Sequence, residues 1–572
     1  MTQLLRLLKR SVLPSLAVIA LVVPASASTT LSFGAPSAYG SYLAGQQALR
    51  DLSTGEASRY LHEATAAEWD NATVVQRAFL AYLANGDIDR AVGIANHVLD
   101  LSPDFGLANL AIAAAELKDR RYHAAERDLN GVTSADFAGI TAAILRGWAF
   151  IGDGRRTDAY AALDRMAKGG LEDFMVFHRA LMADVSGDSA TALALASQTY
   201  QANPVGPRNV EIYARVLGNA GRFDDALAVI DKYNAQGLGD PILDVVEKAL
   251  RAHQRPGLFA TSVQSGAAEA FHGIAVALAR DGNTDLAIGV LQLGLYLDPH
   301  NDIISLLIGQ LLDNAKQNAA ANAYYANIPA SSPMHLTAQV RIAQNYDSMG
   351  NRPEALKRLN EIVGTNPTDL DALTVLAELL RADKQYDRAA DIYSQAIAID
   401  KGAHIGDWVL YYQRGIAYER GNKWDKAQPD FLKALALNPD QPQVLNYLGY
   451  TWVDKGENLT QALGMIQKAV KATPTDGYIV DSLGWAFYRL GRFSDAVKTL
   501  EQAVQLKPND PQINDHLGDA YWKAGRQLEA HFQWNVAASL DADGLLKTEL
   551  AKKQANGLDA TTASATPATT TQ

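Results

Sequence analysis

Asp515, His516 and Asp519 are the closest this chain comes to a cluster that could bind a metal or move a proton. An imidazole beside two carboxylates offers the nitrogen and oxygen donors that zinc takes. The three fall at the start of a helix, where acidic residues are favoured by the positive end of the helix dipole. Capping and surface polarity account for them. Gly152-Asp153-Gly154 lacks the third glycine of a phosphate-binding loop and follows no strand, so it reads as a turn between helices. There is no His-Glu-x-x-His, the eleven histidines are scattered, and serine, histidine and aspartate form no set beyond composition. With no cysteine, disulfides, thiolate metal sites and a cysteine nucleophile are excluded. No catalytic residue, cofactor or metal ligand is therefore expected, and the chain reads as a non-enzyme.

Aromatic residues carry a stronger signal. Six of the eight tryptophans lie between residues 408 and 534. What each does depends on the elements that hold it, and these are written in a repeat. Ala57, Ala91, Ala125, Ala159, Ala192, Ala226, Ala287, Ala321, Ala355, Ala389, Ala427, Ala462, Ala496 and Ala530 follow one another at steps of 33 to 38 residues, mostly 34, with a single step of 61. About twelve residues earlier sits a second small residue, such as Gly45, Gly147, Gly309, Gly415, Gly449, Gly484 or Gly518, with Phe79 the large exception. Two small residues at matched points let antiparallel helices approach closely. A large apolar residue commonly follows the alanine by four, on the same helical face, as in Leu61, Leu500 and Trp534. A proline often closes the unit, as at Pro439, Pro474 and Pro508, where a missing N–H is tolerated.

The period of 34 and these residue types resemble the tetratricopeptide (TPR) repeat. The best copy is Leu483-Gly484, Phe487, Ala496, Leu500, Ala503, Pro508; the next is Leu517-Gly518, Tyr521, Ala530, Trp534, Ala537. The resemblance implies an all-α TPR superhelical solenoid of about fourteen helix–turn–helix repeats with a C-terminal capping helix. It also implies that positions 2, 5, 9, 12 and 13 of each first helix line a concave groove. In the four C-terminal repeats these select Tyr412, Glu419, Arg420, Asn446, Tyr450, Asp454, Tyr478, Asp481, Trp485, Tyr488, Arg489, Asp515, Asp519, Trp522 and Lys523 as a protein-binding face. Aromatic residues and arginine dominate binding hot spots, and such a groove suits an extended peptide or a partner helix. Trp452 and Trp534 occupy buried slots. Trp485 and Trp522 either face the groove, so that their loss leaves the fold intact, or pack between repeats. The asparagines and lysines of the carboxylate clamp are missing from these positions.

Residues 1–27 read as a signal peptide: Arg6, Lys9 and Arg10, a short apolar core over residues 11–24 interrupted by Pro14, and Ala25-Ser26-Ala27 with cleavage expected after Ala27. Export to the periplasm follows, with no stable membrane anchor after cleavage. Residues 28–37 read as a linker, 38–235 as an N-terminal repeat lobe and 267–540 as a C-terminal lobe. Residues 541–553 read as a capping helix built on Leu545, Leu546 and Leu550, and residues 554–572, rich in threonine and alanine, as a disordered tail. Between the lobes, residues 236–266 read as a degenerate repeat and connector, with 254–266 a loop, or as a hinge. The balance of 51 basic and 63 acidic residues gives a net charge of −12, which argues against a nucleic-acid surface.

The run Asp481-Ser482-Leu483-Gly484-Trp485-Ala486-Phe487-Tyr488-Arg489-Leu490-Gly491-Arg492, with the Asp515–Trp522 segment, is similar to long exported bacterial TPR scaffolds of the LbcA type. That resemblance implies a scaffold that brings a processing protease or cell-wall enzyme to its substrates. The chain departs from the type in lacking a lipid-bearing cysteine. The sequence leaves open an assembly factor for polysaccharide or outer-membrane protein export, and a self-associating structural protein.

Overall fold

The computed structural model describes residues 37–558 except 133, 135, 167–170, 238 and 401–406. The segments expected to be signal peptide and linker fall outside the described residues, apart from Ser37. The secondary structure of the described residues is helical, and most helices follow one another in antiparallel pairs. All fourteen alanines of the series are completely buried. The small residue of the first helix lies beneath the large side chain of the second. A Cβ on Gly484 would fall 2.5 Å from Leu500, one on Gly309 2.4 Å from Tyr325, and one on Gly518 2.5 Å from the Trp534 indole. The approach is set by atoms that glycine omits. Where the first helix turns into the second, the chain passes through one left-handed residue. It is glycine at Gly491 (φ 74°) and Gly525 (φ 82°), but a strained non-glycine at Arg120, Lys316 and Lys384. No helix among the described residues is long and apolar enough to cross a membrane.

The contacts divide the chain into two units, the first ending at Ile362 and the second beginning at Val363. The break expected to separate two lobes at 236–266 falls inside the first unit. The helix Pro241–Arg251 is a first helix that ends, like the others, in a left-handed residue, His253 (φ 54°), but no second helix follows. The chain runs irregularly, through the left-handed Gly257 (φ 79°), to Ser262. There the side chain of Ser262 accepts from the Ser265 amide and Ser265 answers the Ser262 amide, so that a helix starts at Val263, earlier than the loop expected through 266.

That helix, Val263–Arg280, and its partner, Thr284–Leu297, do not simply extend the stack. They pack along the first helices of much earlier repeats, Ala72–Ala84, Gly106–Lys118, Phe137–Gly152 and Glu172–Val185. Three glutamines mark the path. Gln264 donates to the Leu117 carbonyl (2.8 Å), Gln292 to the Ala84 carbonyl (3.4 Å) and Gln317 to the Asp51 carbonyl (2.8 Å). Each carbonyl lies at the end of a first helix, where intrahelical donors run out, and that of Leu117 also accepts from the Arg120 amide at 3.0 Å. The face that a TPR array leaves open is here the core of the first unit.

The second unit is a plain stack of helix pairs from Leu370–Ala382 onward, closed by the helix Lys547–Asn556. That last helix begins after Leu545, which is exposed, and buries Leu550. It also takes in Gln554, Ala555 and Asn556 of the segment expected to be a disordered tail; residues 559–572 lie outside the described residues.

Candidate functional site

In the second unit the first helices Trp408–Arg420, Pro442–Lys455 and Gly477–Arg489 pack mainly against sequence neighbours. Their inner face keeps a row of half-buried side chains. Tyr412 sits 6.0 Å from Tyr447 in an edge-to-face pair and 6.1 Å from both Trp408 and Phe431. Burial pushes its hydroxyl up to about 12. Tyr447 donates to Glu419 at 3.0 Å, and the Arg420 guanidinium lies 3.6 Å from the same carboxylate. Asn446 stands on the next helix with its side-chain oxygen unpartnered among the described residues. Tyr450 is surrounded by Asp481, Asp454, Arg489 and Arg420, and burial followed by the two carboxylates raises its hydroxyl well above the tyrosine range. Arg489 reaches back one repeat to the Asp454 carboxylate (3.3 Å) and carbonyl (3.0 Å). Tyr478 is half-buried near the ammonium of Lys507, 5.1 Å from its ring.

Trp485 lies in a three-ring stack, 4.7 Å from Tyr488 and 4.2 Å from His516, nearly parallel to both. It therefore both faces inward and packs between repeats. His516 is buried, with Nδ1 3.0 Å from both oxygens of Asp481, which is buried as well.

Asp515 and Asp519 do not face an open groove, and they are not surface polarity at a helix start. The helix N-cap is Asp510, which accepts from the Ile513 amide. Both carboxylates are buried beneath the terminal helix, whose Lys553 ammonium donates to Asp515 at 2.7 and 2.8 Å and to Asp519 at 3.0 Å. Asp519 also accepts from the Trp534 indole at 2.9 Å. Trp522 is covered from the same side: a Cβ on Gly557 would fall 1.9 Å from its ring. Lys523, the last residue of the helix Pro511–Lys523, lines an open hollow with Arg492 and Arg526. The structure thus joins Tyr412 through Arg489 in one face and withdraws Asp481, Asp515 and Asp519 into bonds that link one first helix to the next such helix along the stack. Sequence reasoning missed Lys553. Its only advance signal was a lysine four residues after Glu549 on the capping helix.

Among the described residues one trio could approach a metal ion: His123, Glu126 and Asp153. His123 lies 2.8 Å from Asp153, and Arg155 lies 2.8 Å from Glu126, so both carboxylates already have partners within the protein. The His123 side chain is 78% exposed.

With this geometry in view, the relatives are informative. A family model described as a TPR repeat matches residues 484–525, and two described as tetratricopeptide repeats match residues 340–404 and 408–441. The chain is 32% identical over 190 residues to the TPR repeat-containing protein PA4667 of Pseudomonas aeruginosa, covering 33% of this chain and 31% of that protein. It is 24% identical over 176 residues to the protein O-mannosyl-transferase TMTC1 of Homo sapiens, covering 31% of this chain and 20% of that one. The matches therefore span less than a third of either relative's length. Among solved structures, one of the APC/C hetero-tetramer Cut9-Hcn1 aligns over 91% of this chain and 96% of that chain at 14% identity, with a TM-score of 0.39.

The repeats that the family models match make the chain a protein-interaction scaffold. The chain is a tetratricopeptide-repeat protein.

Proposed function

We propose that the chain captures protein or peptide partners on the inner face of its second unit, through the row from Tyr412 to Arg489, and works as an adaptor without chemistry of its own. One observation carries this. In the first unit the corresponding face buries the chain's own helices Val263–Leu297, whereas in the second unit the helices Trp408–Arg489 leave theirs lined with half-buried aromatic and charged side chains. Half-buried tyrosine, tryptophan and arginine offer large contact area at little further ordering cost. The residue pattern of 1–27 supports export to the periplasm. The resemblance of residues 481–492 and 515–522 to exported scaffolds supports a processing protease or cell-wall enzyme as the partner.

The test is capture from a periplasmic extract by the full chain and by Asn446→Arg. This substitution puts a long charged side chain at a half-buried position of the face whose side-chain oxygen is buried, so the comparison is made once the variant is shown to melt like wild type. Loss of a protease or wall enzyme from the variant's eluate supports the reading. Identical eluates from both forms remove this face from partner binding.

A further inference from the structure

The second unit ends on helix Lys547–Asn556, which stacks on Gln527–Leu540 and reaches Asp515 and Asp519 of the helix Pro511–Lys523. Its hold is unusual for a packed element. It buries one apolar side chain completely, Leu550, with Leu546 and Leu558 only partly covered. Most of its remaining attachment is polar: Lys553, 7% exposed, bonded to Asp515 and Asp519, and Gln554 and His531 bonded to each other, with Gln554 also donating to the His531 carbonyl at 3.0 Å. Elements with few buried apolar contacts open at lower free energy than the body they cover. The charges beneath are also unequal. Two buried carboxylates face a single ammonium. The helix brings a third carboxylate, Glu549, 3.3 Å from that ammonium and repelling Asp515. Three carboxylates, Asp515, Asp519 and Glu549, thus stand around the one ammonium, with the ring of His516, bonded to Asp481, beside Asp515, and the helix that brings the ammonium also brings one of the three carboxylates.

We propose that Asp515, Asp519 and Trp522 form a docking pocket for a lysine-bearing helix, with the chain's own helix Lys547–Asn556 as resident occupant, displaced by a partner helix presenting leucine and lysine three residues apart. The proposal rests on the reading that the inner face receives protein partners, and it adds the chemistry selected at its end. Leu550 and Lys553 define the spacing. The residue four before the lysine sets preference: a neutral or basic residue there avoids the repulsion between Glu549 and Asp515. A displaced resident helix would also leave Trp522 free to stack on the incoming helix.

The probe is a labelled synthetic peptide of residues 541–558, titrated against the full chain. Wild type should take it up weakly, because the tethered helix competes. The full chain carrying Leu550→Ala and Lys553→Gln, with its resident helix loosened, should bind at least tenfold more tightly. Adding Asp515→Asn and Asp519→Asn should return uptake to the wild-type level. A peptide with Glu549→Gln should bind more tightly than the native one. Uptake indifferent to the two aspartates, or absent from a loosened variant that melts like wild type, overturns the proposal. Should the loosened variant fail to fold, hydrogen exchange on wild type decides. Exchange in 547–556 as slow as in the helix Gln527–Leu540 would mean that the two open together, and the pocket would then be core. Asn446→Arg should leave peptide uptake unchanged. Partner capture lost in that variant while the peptide fails to bind would reject this pocket alone, and the reverse result would reject the face from Tyr412 to Arg489.

Discussion

The indole of Trp148 occupies the space where a side chain on Gly266 would stand: a Cβ there would fall 2.1 Å from the ring. The two residues belong to helices 118 positions apart in the chain, and Trp148 is fully buried. This contact is where the later helix pair seats on the earlier repeats. Gly266→Ala should accordingly destabilise the first unit by about 1–3 kcal/mol or more, the range for overpacking a filled core. Denaturation followed through near-ultraviolet circular dichroism would check this. An unchanged midpoint would show that the helix at 263–280 is not seated as described.

The three glutamines give a second test of the same closure. Replacing Gln292 with leucine leaves the Ala84 carbonyl and the Tyr324 hydroxyl without this partner. A buried polar group left unpaired costs about 1–3 kcal/mol. Gln264→Leu should cost less, because the Leu117 carbonyl keeps the Arg120 amide at 3.0 Å. Urea melts of each variant would give the values, and losses well under half a kcal/mol in both would mean that solvent already serves these helix ends.

Trp485 and Trp522 are not free surface groups. The first is stacked between Tyr488 and His516, the second lies 5.5 Å from Trp534 under Gly557. Trp485→Ala should cost stability by at least about 1 kcal/mol from lost ring pairing alone, so the double alanine variant should melt visibly earlier. Trp485→Phe should recover most of the loss. Equal melting of wild type and the double variant would return both side chains to the open groove.

The buried charges at the end of the second unit make its stability depend on pH. Burial first, then repulsion from Asp515, push the Asp519 carboxyl up to about 7, against the pull of Lys553 and of the Trp534 indole. A carboxyl whose folded value is raised favours the folded state below its unfolded value, near 4, and that contribution is lost as pH rises towards 7. At His516, burial disfavours the charged ring, but Asp481, with Asp515 and Asp519 adding, outweighs it and raises the value above the usual histidine range. Its contribution is complete below about 6.5 and is lost at higher pH, in the same direction. Lys553 remains charged across this window, held by both aspartates despite its burial. The terminal helix should therefore dock more firmly at pH 5 than at pH 8. Hydrogen exchange of residues 547–556, corrected for the intrinsic rate, would show it, and Asp519→Asn should flatten part of the dependence. A rise in protection with pH would contradict the assignment.

The alanine series, the glycines under Leu500, Tyr325 and Trp534, and the helix pairs they hold could all be read from the sequence alone. Each is a contact between neighbours in a register of 34 residues, so the residue types repeat as the contacts do. The buried places of Trp452 and Trp534 followed from the same register. What the register could not show is which inner faces stay open. Gly266 under Trp148, Gln292 on Ala84 and Lys553 under Asp515 and Asp519 join positions with no fixed spacing, and each residue there has an ordinary surface or repeat reading. Whether an acidic side chain on a first helix meets solvent or a lysine depends on how far the stacked helices curve and on what the chain lays against them. That long-range geometry made the N-terminal groove a core, placed the unit boundary at Ile362 and Val363, and left the side chains from Tyr412 to Arg489 half-buried on one face.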